Sequence, residues 1–324
     1  MGDPEPKVDH EPDVWTDDEW DGILLAIRTK MCTPFLGAGA CHGILPLGTE
    51  VAQRWATAYG YPFDDPYNLP RVAQFVAIHR EGAALTPRLK IAEELMKLVD
   101  AERRKGYPAL KLEDEPHRIM ADLELPLYIT TNYDDFMVQA LTLNPPITFK
   151  QRTVRREFCD WRSVRRRRRA NDTQRVPFPE PQPETPIVYH LHGWLERPDS
   201  MVLTEDDFLD FLVFLTEDPQ IVEARLQDAF ATTALLFLGY SLQDLNFQVL
   251  LRQLGDYMAR NEGARHVSVQ LAPQGHETDA QLRERADKQR RYLEEKYRLQ
   301  KVKVYWGTCR RFAAELRRKW NAAQ

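Results

Sequence analysis

Cysteine is scarce in this sequence, and no two cysteines lie close together. The 324 residues contain four cysteines, Cys32, Cys41, Cys159 and Cys309, and no C-x-x-C pair. This spacing argues against a disulfide framework and against a structural zinc site built from cysteines. We therefore expect no metal.

Long hydrophobic runs are also missing. No apolar run approaches the roughly 20 residues that a membrane helix needs, and the first residues are acidic and proline-rich. A secretory signal would instead be basic and then apolar. We expect a cytoplasmic protein without a membrane segment.

The acidic and basic residues are concentrated in different parts of the chain. The net charge is -5, but residues 151–175 carry ten arginines against three acids, so the rest of the chain sums to -12. The arginine run suits a mobile surface loop, a contact with another subunit or partner, or a phosphate contact with nucleic acid. The acidic remainder opposes the last of these, and we do not expect direct nucleic-acid binding.

Short buried apolar runs alternate with helical patterns along most of the chain. Six strands are predicted, at 31–36, 127–131, 187–191, 234–238, 267–271 and 302–305. Helices are predicted at 16–29, from an N-cap at Thr49, over parts of 61–115, and at 205–230, 244–260, 278–298 and 309–320. The predicted fold class is α/β, a Rossmann-like, mostly parallel sheet with helices on both faces and an inserted helical module.

The same patterns divide the chain into segments. We predict a disordered acidic tail at 1–13, a Rossmann-like domain formed by 14–60 and 116–324, a helical module at 61–115, and an arginine- and proline-rich insertion at 150–186.

Four unusual clusters each follow a predicted strand: Gly37-Ala38-Gly39, Thr131-Asn132-Tyr133-Asp134, His190-Leu191-His192-Gly193 and Gly239-Tyr240-Ser241. Ligands of parallel sheets bind beyond the carboxyl ends of the strands, so these clusters are expected to share one crevice. The two glycines after the first strand suit a phosphate-binding turn. The turn lacks the Lys-Ser/Thr of a P-loop, and His42 stands where a third glycine would complete G-x-G-x-x-G.

Taken together and in this order, the clusters resemble the sirtuin superfamily, and more closely its bacterial branch of defence-associated, sirtuin-like NAD hydrolases. The matching segments are Phe35-Leu36-Gly37-Ala38-Gly39 with Pro46, Ile129 to Asp134, Tyr189 to Gly193, and Phe237 to Asp244. The resemblance implies a Rossmann-like NAD domain, in which 61–115 corresponds to the smaller module of the family.

The resemblance also implies roles for individual residues. Gly37, Ala38 and Gly39 would line the dinucleotide phosphates, and Cys41 stands where the family usually has serine. Asn132, with Thr131 beside it, would lie at the nicotinamide ribose, and Asp134 would support that pocket. His192 would be the catalytic histidine, and Gly239 and Ser241 would contact the adenosine half or its phosphates.

The same residues also suit roles in the local structure. Asn132 and Asp134 suit a helix N-cap and a first-turn acid, and His190 suits a structural role because it still lies within the strand.

Two departures from the family bear on function. The chain lacks the four zinc-ribbon cysteines of deacylating sirtuins, and Leu47-Gly48-Thr49 follows Pro46 in place of an acidic-Phe-Arg segment. The resemblance therefore implies NAD+ as a substrate, hydrolysed to nicotinamide and ADP-ribose in antiphage defence, by a homo-oligomer with a possible HerA-class ATPase partner. The alternatives are a non-catalytic NAD- or ADP-ribose-sensing subunit and, less favoured, a protein deacylase.

Overall fold

The computed structural model describes residues 15–79, 85–144, 146, 148, 151–163, 179–217, 224–260, 265–273 and 278–323. The predicted tail at 1–13 and the arginine run at 165–169 lie outside the described residues. Within the described residues, no helix combines the length and the apolar character needed to cross a membrane.

The described strands are β1 Cys32–Leu36, β2 Leu127–Thr130, β3 Arg155–Phe158, β4 Ile187–His190, β5 Ala234–Leu238, β6 His266–Gln270 and β7 Val302–Trp306. They form one sheet in the order β3-β4-β2-β1-β5-β6-β7, and every neighbouring pair is parallel. The register pairs Phe35 with Ile129 on one side and with Phe237 on the other. The predicted parallel sheet is confirmed.

The described helices are α1 Asp17–Arg28, α2 Gly48–Tyr59, α3 Leu69–His79, α4 Leu85–Arg104, α5 Pro116–Asp122, α6 Phe136–Leu143, α7 Glu205–Glu217, α8 Ala224–Thr232, α9 Leu245–Arg260, α10 Asp279–Lys296 and α11 Cys309–Ala322. Short 3-10 turns occupy Ala38–Cys41, Ala109–Lys111 and Pro198–Ser200.

Helices cover both faces of the sheet because neighbouring strand residues point to opposite sides. Leu36 and Leu236 belong to a hydrophobic cluster with side chains from α1, α2, α5, α6 and α11. Phe35 and Phe237 belong to a second cluster with side chains from α7, α8, α9 and α10. The prediction of helices on both faces is confirmed.

The segment 61–115 contributes α3 and α4, and no strand is described within it. Arg71 and Gln74 of α3 bond to the start of α7, through Arg71 Nε to Glu205 at 3.3 Å and Gln74 Nε2 to Asp206 at 2.8 Å. These helical elements therefore pack beside the sheet at the beginning of α7.

Some element boundaries differ from the prediction. β3 lies in the segment predicted as an insertion, and it was missed because its charged residues form no apolar run. The helix predicted at 205–230 is described as α7 and α8, with 218–223 outside the described residues. Thr49 as an N-cap is wrong: α2 begins at Gly48, and Glu50 accepts the amide of Leu47 at 2.7 Å.

The strand order places a topological switch between β1 and β5. The chain passes from β1 to β2 on one side of the sheet and later returns to pair β5 with the other side of β1. A crevice opens at such a point beyond the carboxyl ends of the strands. The glycine turn after β1 and the Gly239 turn after β5 flank this position.

Candidate active site

Two adjoining cavities lie at the carboxyl ends of the strands. The inner cavity, of about 270 Å³, is lined by residues from all four predicted clusters: Ala38, Cys41, Thr131, Asn132, Asp134, His192, Gly239 and Ser241. The outer cavity, of about 1380 Å³, shares Ala38, Gly239 and Ser241 with the inner one and extends to Gln270 and Trp306 at the ends of β6 and β7. The structure therefore brings the four clusters together.

Hydrophobic side chains complete the inner cavity. They come from α2, α3, α4, α7 and α9 and from the loops beside them: Leu45, Val51, Leu69, Ile91, Leu95, Leu203, Phe208 and Phe247. Ile91 and Leu95 belong to α4, so part of this wall comes from the helical segment 61–115. A cavity with apolar walls and a few converging polar groups is typical of a small-molecule site.

The glycines of the first turn are required by close packing against the Gly239 turn. A Cβ on Gly37 would lie 2.7 Å from the Gly239 oxygen, and a Cβ on Gly39 would lie 2.8 Å from the Gly239 Cα. The amide of Gly37 donates to Leu238 at 2.8 Å and that of Gly39 to Gly239 at 3.1 Å. Gly39 lines the outer cavity, whereas Gly37 lines neither cavity.

Asn132 is held by hydrogen bonds of its backbone and of its side-chain amide. Its Nδ2 donates to the Gly37 oxygen at 3.1 Å and to Cys41 Sγ at 3.2 Å, and its backbone oxygen accepts from His190 Nδ1 at 3.1 Å. Both amide hydrogens are thereby used. The remaining polar atom, Oδ1, is an acceptor for a group in the cavity.

Asp134, predicted to support this pocket, lies at the wall of the inner cavity and is buried. Its Oδ1 accepts the amide of Phe136 at 3.0 Å, and its Oδ2 accepts from the Cys41 thiol at 3.4 Å. Because α6 begins at Phe136 with Asp135 at the N-cap position, the reading of Asn132 as a cap is wrong. Asp134 instead satisfies the first amide of α6 from two residues before it.

A buried histidine that the sequence did not single out completes this group. His117 Nε2 lies 3.8 Å from Cys41 Sγ, and His117 Nδ1 lies 2.7 Å from Glu115 Oε1. Burial alone would lower the pKa of His117, but the Glu115 carboxylate outweighs it, so this pKa is raised. Burial raises the pKa of Cys41, as does the charge of Asp134, so we expect a thiol, not a thiolate.

Within the part of the chain that the structure describes, Cys41, His117 and Asp134 form a group that could also hold a metal ion. Their ligand atoms lie within 4.8 Å of one another, and all three side chains are buried. The thiol already donates to Asp134 and the imidazole is held by Glu115, so hydrogen bonds account for the cluster. A cation would have to displace the thiol proton, and the absence of a metal stays a prediction.

His192 follows β4 and lines the inner cavity. Its ring packs edge to face on the rings of Phe208 and Phe211, whose centroids lie 5.3 and 5.4 Å from the centroid of the imidazole. Burial lowers the pKa of His192 to about 3, so the imidazole is neutral near pH 7. A neutral imidazole offers a nitrogen that accepts a hydrogen bond or a proton.

His190 lies in β4, behind the cavity. Its Nδ1 donates to the Asn132 oxygen, and burial lowers its pKa to about 4. This bond connects the two strands that carry Asn132 and His192. The structure thus places His190 in support of Asn132, as its predicted structural role implies.

Tyr240 is a further site residue that the sequence did not single out. Its hydroxyl lies 2.7 Å from Thr131 Oγ1 and donates to the Leu36 oxygen at 2.7 Å, and its ring stacks on Phe247 with centroids 4.3 Å apart. Tyr240 therefore joins the ends of β1, β2 and β5. The motif Gly239-Tyr240-Ser241 was the only signal for it.

A family model described as a SIR2-like domain matches residues 126–300, more than half of the chain. The matched range includes Asn132, Asp134, His192 and Gly239, whereas the glycine turn after β1 lies before it.

Individual relatives are more distant. The chain is 29% identical over 156 residues to "NAD(+) hydrolase ThsA" of Cytobacillus dafuensis, a match to 47% of this chain and 26% of that protein. It is 26% identical over 251 residues to "NAD(+) hydrolase ThsA" of Acinetobacter baumannii (strain 532279), covering 75% and 43%. The matched region thus spans less than half the length of these relatives.

A solved structure described as "Structural Basis for the Mechanism and Regulation of Sir2 Enzymes" aligns with 94% of this chain and 98% of its own chain. The sequence identity is 15% and the TM-score is 0.37.

Proposed function

Because the chain belongs to the SIR2-like domain family, we propose that it is an NAD+ hydrolase that cleaves the bond between nicotinamide and ribose. The observation that carries the proposal is the inner cavity, which Asn132, Asp134 and His192 line together. The names of the relatives support the same activity. The products would be nicotinamide and ADP-ribose.

The outer cavity suits the rest of the dinucleotide. We propose that the nicotinamide ribose occupies the inner cavity and that the adenosine half lies over Gly239 and Ser241 in the outer one. The amide of Ala38, which lines both cavities, has no hydrogen-bond partner among the described residues. It is therefore our candidate donor to the pyrophosphate, because the neighbouring glycine amides bond within the protein.

The chemistry requires few charged groups. As the C–N bond breaks, its electron pair moves to the pyridinium nitrogen, so nicotinamide leaves as a neutral molecule without a general acid. The ribose develops oxocarbenium character, and water adds to its C1′ carbon. His192, which is neutral, would accept the proton of that water, a role commonly worth about 10²- to 10⁴-fold in rate. Asn132 Oδ1 would accept a hydrogen bond from the water or from the carboxamide.

The biological setting is proposed from the resemblance alone. We propose an NAD-depleting effector of bacterial antiphage defence that acts by abortive infection in the cytoplasm, as a homo-oligomer with a HerA-class ATPase or another defence partner. Direct nucleic-acid binding is not part of the proposal, because the chain outside 151–175 is strongly acidic.

Nicotinamide release from NAD+ tests the activity. We expect Asn132→Ala and His192→Ala to lower the turnover number at least about 100-fold. His79→Ala is the matched control, since His79 is an exposed residue at the end of α3 and lines neither cavity, and it should keep the wild-type rate.

Three outcomes would contradict the proposal. Equal rates for wild type, Asn132→Ala and His192→Ala would contradict the catalytic roles assigned to Asn132 and His192. NAD+ or ADP-ribose binding without turnover, with every partner tested, would favour the sensing subunit. Release of acyl groups from an acyl-lysine peptide would favour a deacylase.

A further inference from the structure

One buried carboxylate gathers three separate parts of the chain beside the inner cavity. Asp207, in the first turn of α7, accepts from Arg88 of α4 through Nε at 2.9 Å and also through Nη2. It accepts from Arg162 Nη2 at 2.5 Å. Its Oδ2 also accepts the amides of Leu203 and Thr204 at 3.1 and 3.0 Å.

Arg162 fixes the loop that follows His192. Its Nη1 donates to the backbone oxygens of Asp199 and Met201 at 2.9 and 3.0 Å. A planar guanidinium suits this task, because its fixed fork of donors reaches several acceptors at once. The one side chain therefore spans the loop from Asp199 to Asp207.

This loop forms the cavity wall against His192. Leu203 and Phe208 line the inner cavity, and Phe208 packs edge to face on the His192 ring. The amide of Val202 donates to the His192 backbone oxygen at 3.0 Å. A shift of this loop would thus move both the Phe208 ring beside the imidazole and the backbone of His192.

Arg88 connects the opposite wall to the same carboxylate. It lies on α4 one turn before Ile91 and two turns before Leu95, which line the inner cavity. Arg88 is 7% exposed and Asp207 is 4% exposed. A carboxylate that is this deeply buried needs its cations, because an unpaired buried charge is strongly unfavourable.

The two arginines differ in what their loss would do. Removing Arg88 would leave the buried carboxylate without its bidentate partner, and we expect such a variant to fold poorly. The Arg162 side chain is 19% exposed, and Asp207 would keep Arg88 and both amides without it. We therefore expect a variant of Arg162 to keep the fold.

We propose that Arg162, through its bonds to Asp207 and to the backbone oxygens of Asp199 and Met201, is a positioning residue that fixes the 199–208 wall against His192 and so sets the turnover of the site. The consequence for turnover rests on the proposed NAD+ cleavage, whereas the ordering of the wall does not. Arg162 also stands three residues before the run of five arginines that starts at Arg165.

Two measurements on the full chain test this assignment. In Arg162→Gln we expect amide hydrogen exchange over 199–208 to accelerate at least about tenfold, because the loop opens locally more often. We expect the turnover number for NAD+ to fall at least about tenfold while KM changes less than about threefold, since misplacement by 1 Å can cost about 100-fold. Arg162→Lys keeps the charge but loses the planar fork of donors, so its exchange rate and its turnover number should lie between those of wild type and Arg162→Gln.

Arg197→Gln is the matched control. Arg197 lies in the same loop and carries the same charge, but it pairs with the exposed Asp199 at 3.3 Å, and the two side chains are 48% and 54% exposed. This variant should exchange and turn over like wild type.

A merely structural role for Arg162 would lower the melting temperature without changing turnover per folded molecule.

Unchanged exchange in Arg162→Gln overturns the assignment, and so does faster exchange with unchanged turnover. If Asp207→Asn folds, adding Arg162→Gln to it should cause a smaller loss than Arg162→Gln causes in wild type, because only the bonds to Asp199 and Met201 remain to be broken. A fully additive loss would show that the contact of Arg162 with Asp207 does not contribute. If wild type releases no nicotinamide, the proposed function fails. The exchange of Arg162→Gln against Arg197→Gln then decides the ordering of the wall by itself.

Discussion

Gly239 has a φ of +81°, and a Cβ placed on it would lie 2.3 Å from the amide nitrogen of Ala40. Residues with side chains rarely adopt this backbone region. Gly37 and Gly39 press against the same turn from the opposite side. The three glycines therefore let the turns after β1 and β5 meet, and this packing accounts for the glycine motif without a ligand.

A substitution at Gly239 tests that packing. We expect Gly239→Ala to lower the free energy of unfolding by about 3 kcal/mol or more, because it adds both backbone strain and a clash with backbone atoms. Gly22→Ala is the control: Gly22 lies in α1, and a Cβ there would meet nothing within 4 Å. It should raise stability by roughly 0.5–1 kcal/mol. Urea unfolding that gives the same change for both variants would contradict this account.

The sequence predicted some site residues and missed others for a physical reason. Asn132, His192 and Gly239 were predicted to meet because each follows a buried apolar run, and parallel strands end at one edge of a sheet. The contact of His117 with Cys41 joins residues 76 positions apart, and no local pattern announces it. Tertiary packing alone brings Glu115 and His117 against the site.

Among the strands, those with an apolar run were predicted, and the one without such a run was missed. Six strands were predicted from their apolar runs. β3, which pairs with β4 at the edge of the sheet, consists of Arg-Arg-Glu-Phe and is half-exposed. A strand at the edge of a sheet can stay partly exposed and tolerates charged residues. The sequence of β3 therefore lacks the apolar run by which the other strands were predicted.

The first helix was predicted in type and in its N-terminal cap. Thr16 and Glu19 form the predicted capping box: the amide of Thr16 donates to Glu19 at 2.9 Å, and the amide of Glu19 donates to Thr16 Oγ1 at 3.4 Å. Trp15 Nε1 donates to the Val304 oxygen of β7 at 3.0 Å, and Trp20 stacks on Phe312 of α11. The cap thus begins a helix that packs on the last strand and the last helix.

We expect Thr16→Ala to destabilise the protein by about 1 kcal/mol, the usual cost of losing an N-cap. Thr57→Ala provides a control, because the exposed Thr57 hydroxyl only donates within α2, to the Gln53 oxygen. Alanine is the better helix former at such a position, so that variant should be neutral or slightly stabilised. Denaturant midpoints measure both, and a neutral Thr16→Ala would contradict the role of the cap.

Three histidines with lowered pKa values tie the stability of the whole molecule to pH. Burial lowers the pKa of His190 and His266 to about 4 and that of His192 to about 3. In the unfolded chain these rings would titrate near 6.5. As the pH falls below 6.5, the unfolded chain therefore takes up protons that the folded chain does not.

The free energy of unfolding should be unaffected by these groups above about pH 6.5 and should fall as the pH approaches 4. The slope is at most about 1.4 kcal/mol per pH unit for each ring. His266 Nδ1 accepts the amide of Leu235 at 2.9 Å, and His266→Gln keeps an acceptor without a titrating group. Its slope should be shallower than that of wild type, whereas His42→Gln, at an exposed position, should match wild type. Equal slopes for all three proteins would contradict the assignment.

We propose that the ends of strands β1, β2, β4 and β5 form one dinucleotide site. A crystal structure of His192→Ala with NAD+ tests it most directly, because this variant keeps the cavity and lacks the proposed base. We expect the nicotinamide ribose in the inner cavity beside Asn132 and the adenosine half over Gly239 and Ser241 in the outer cavity. A dinucleotide bound elsewhere, or adenine in the inner cavity, would contradict the account.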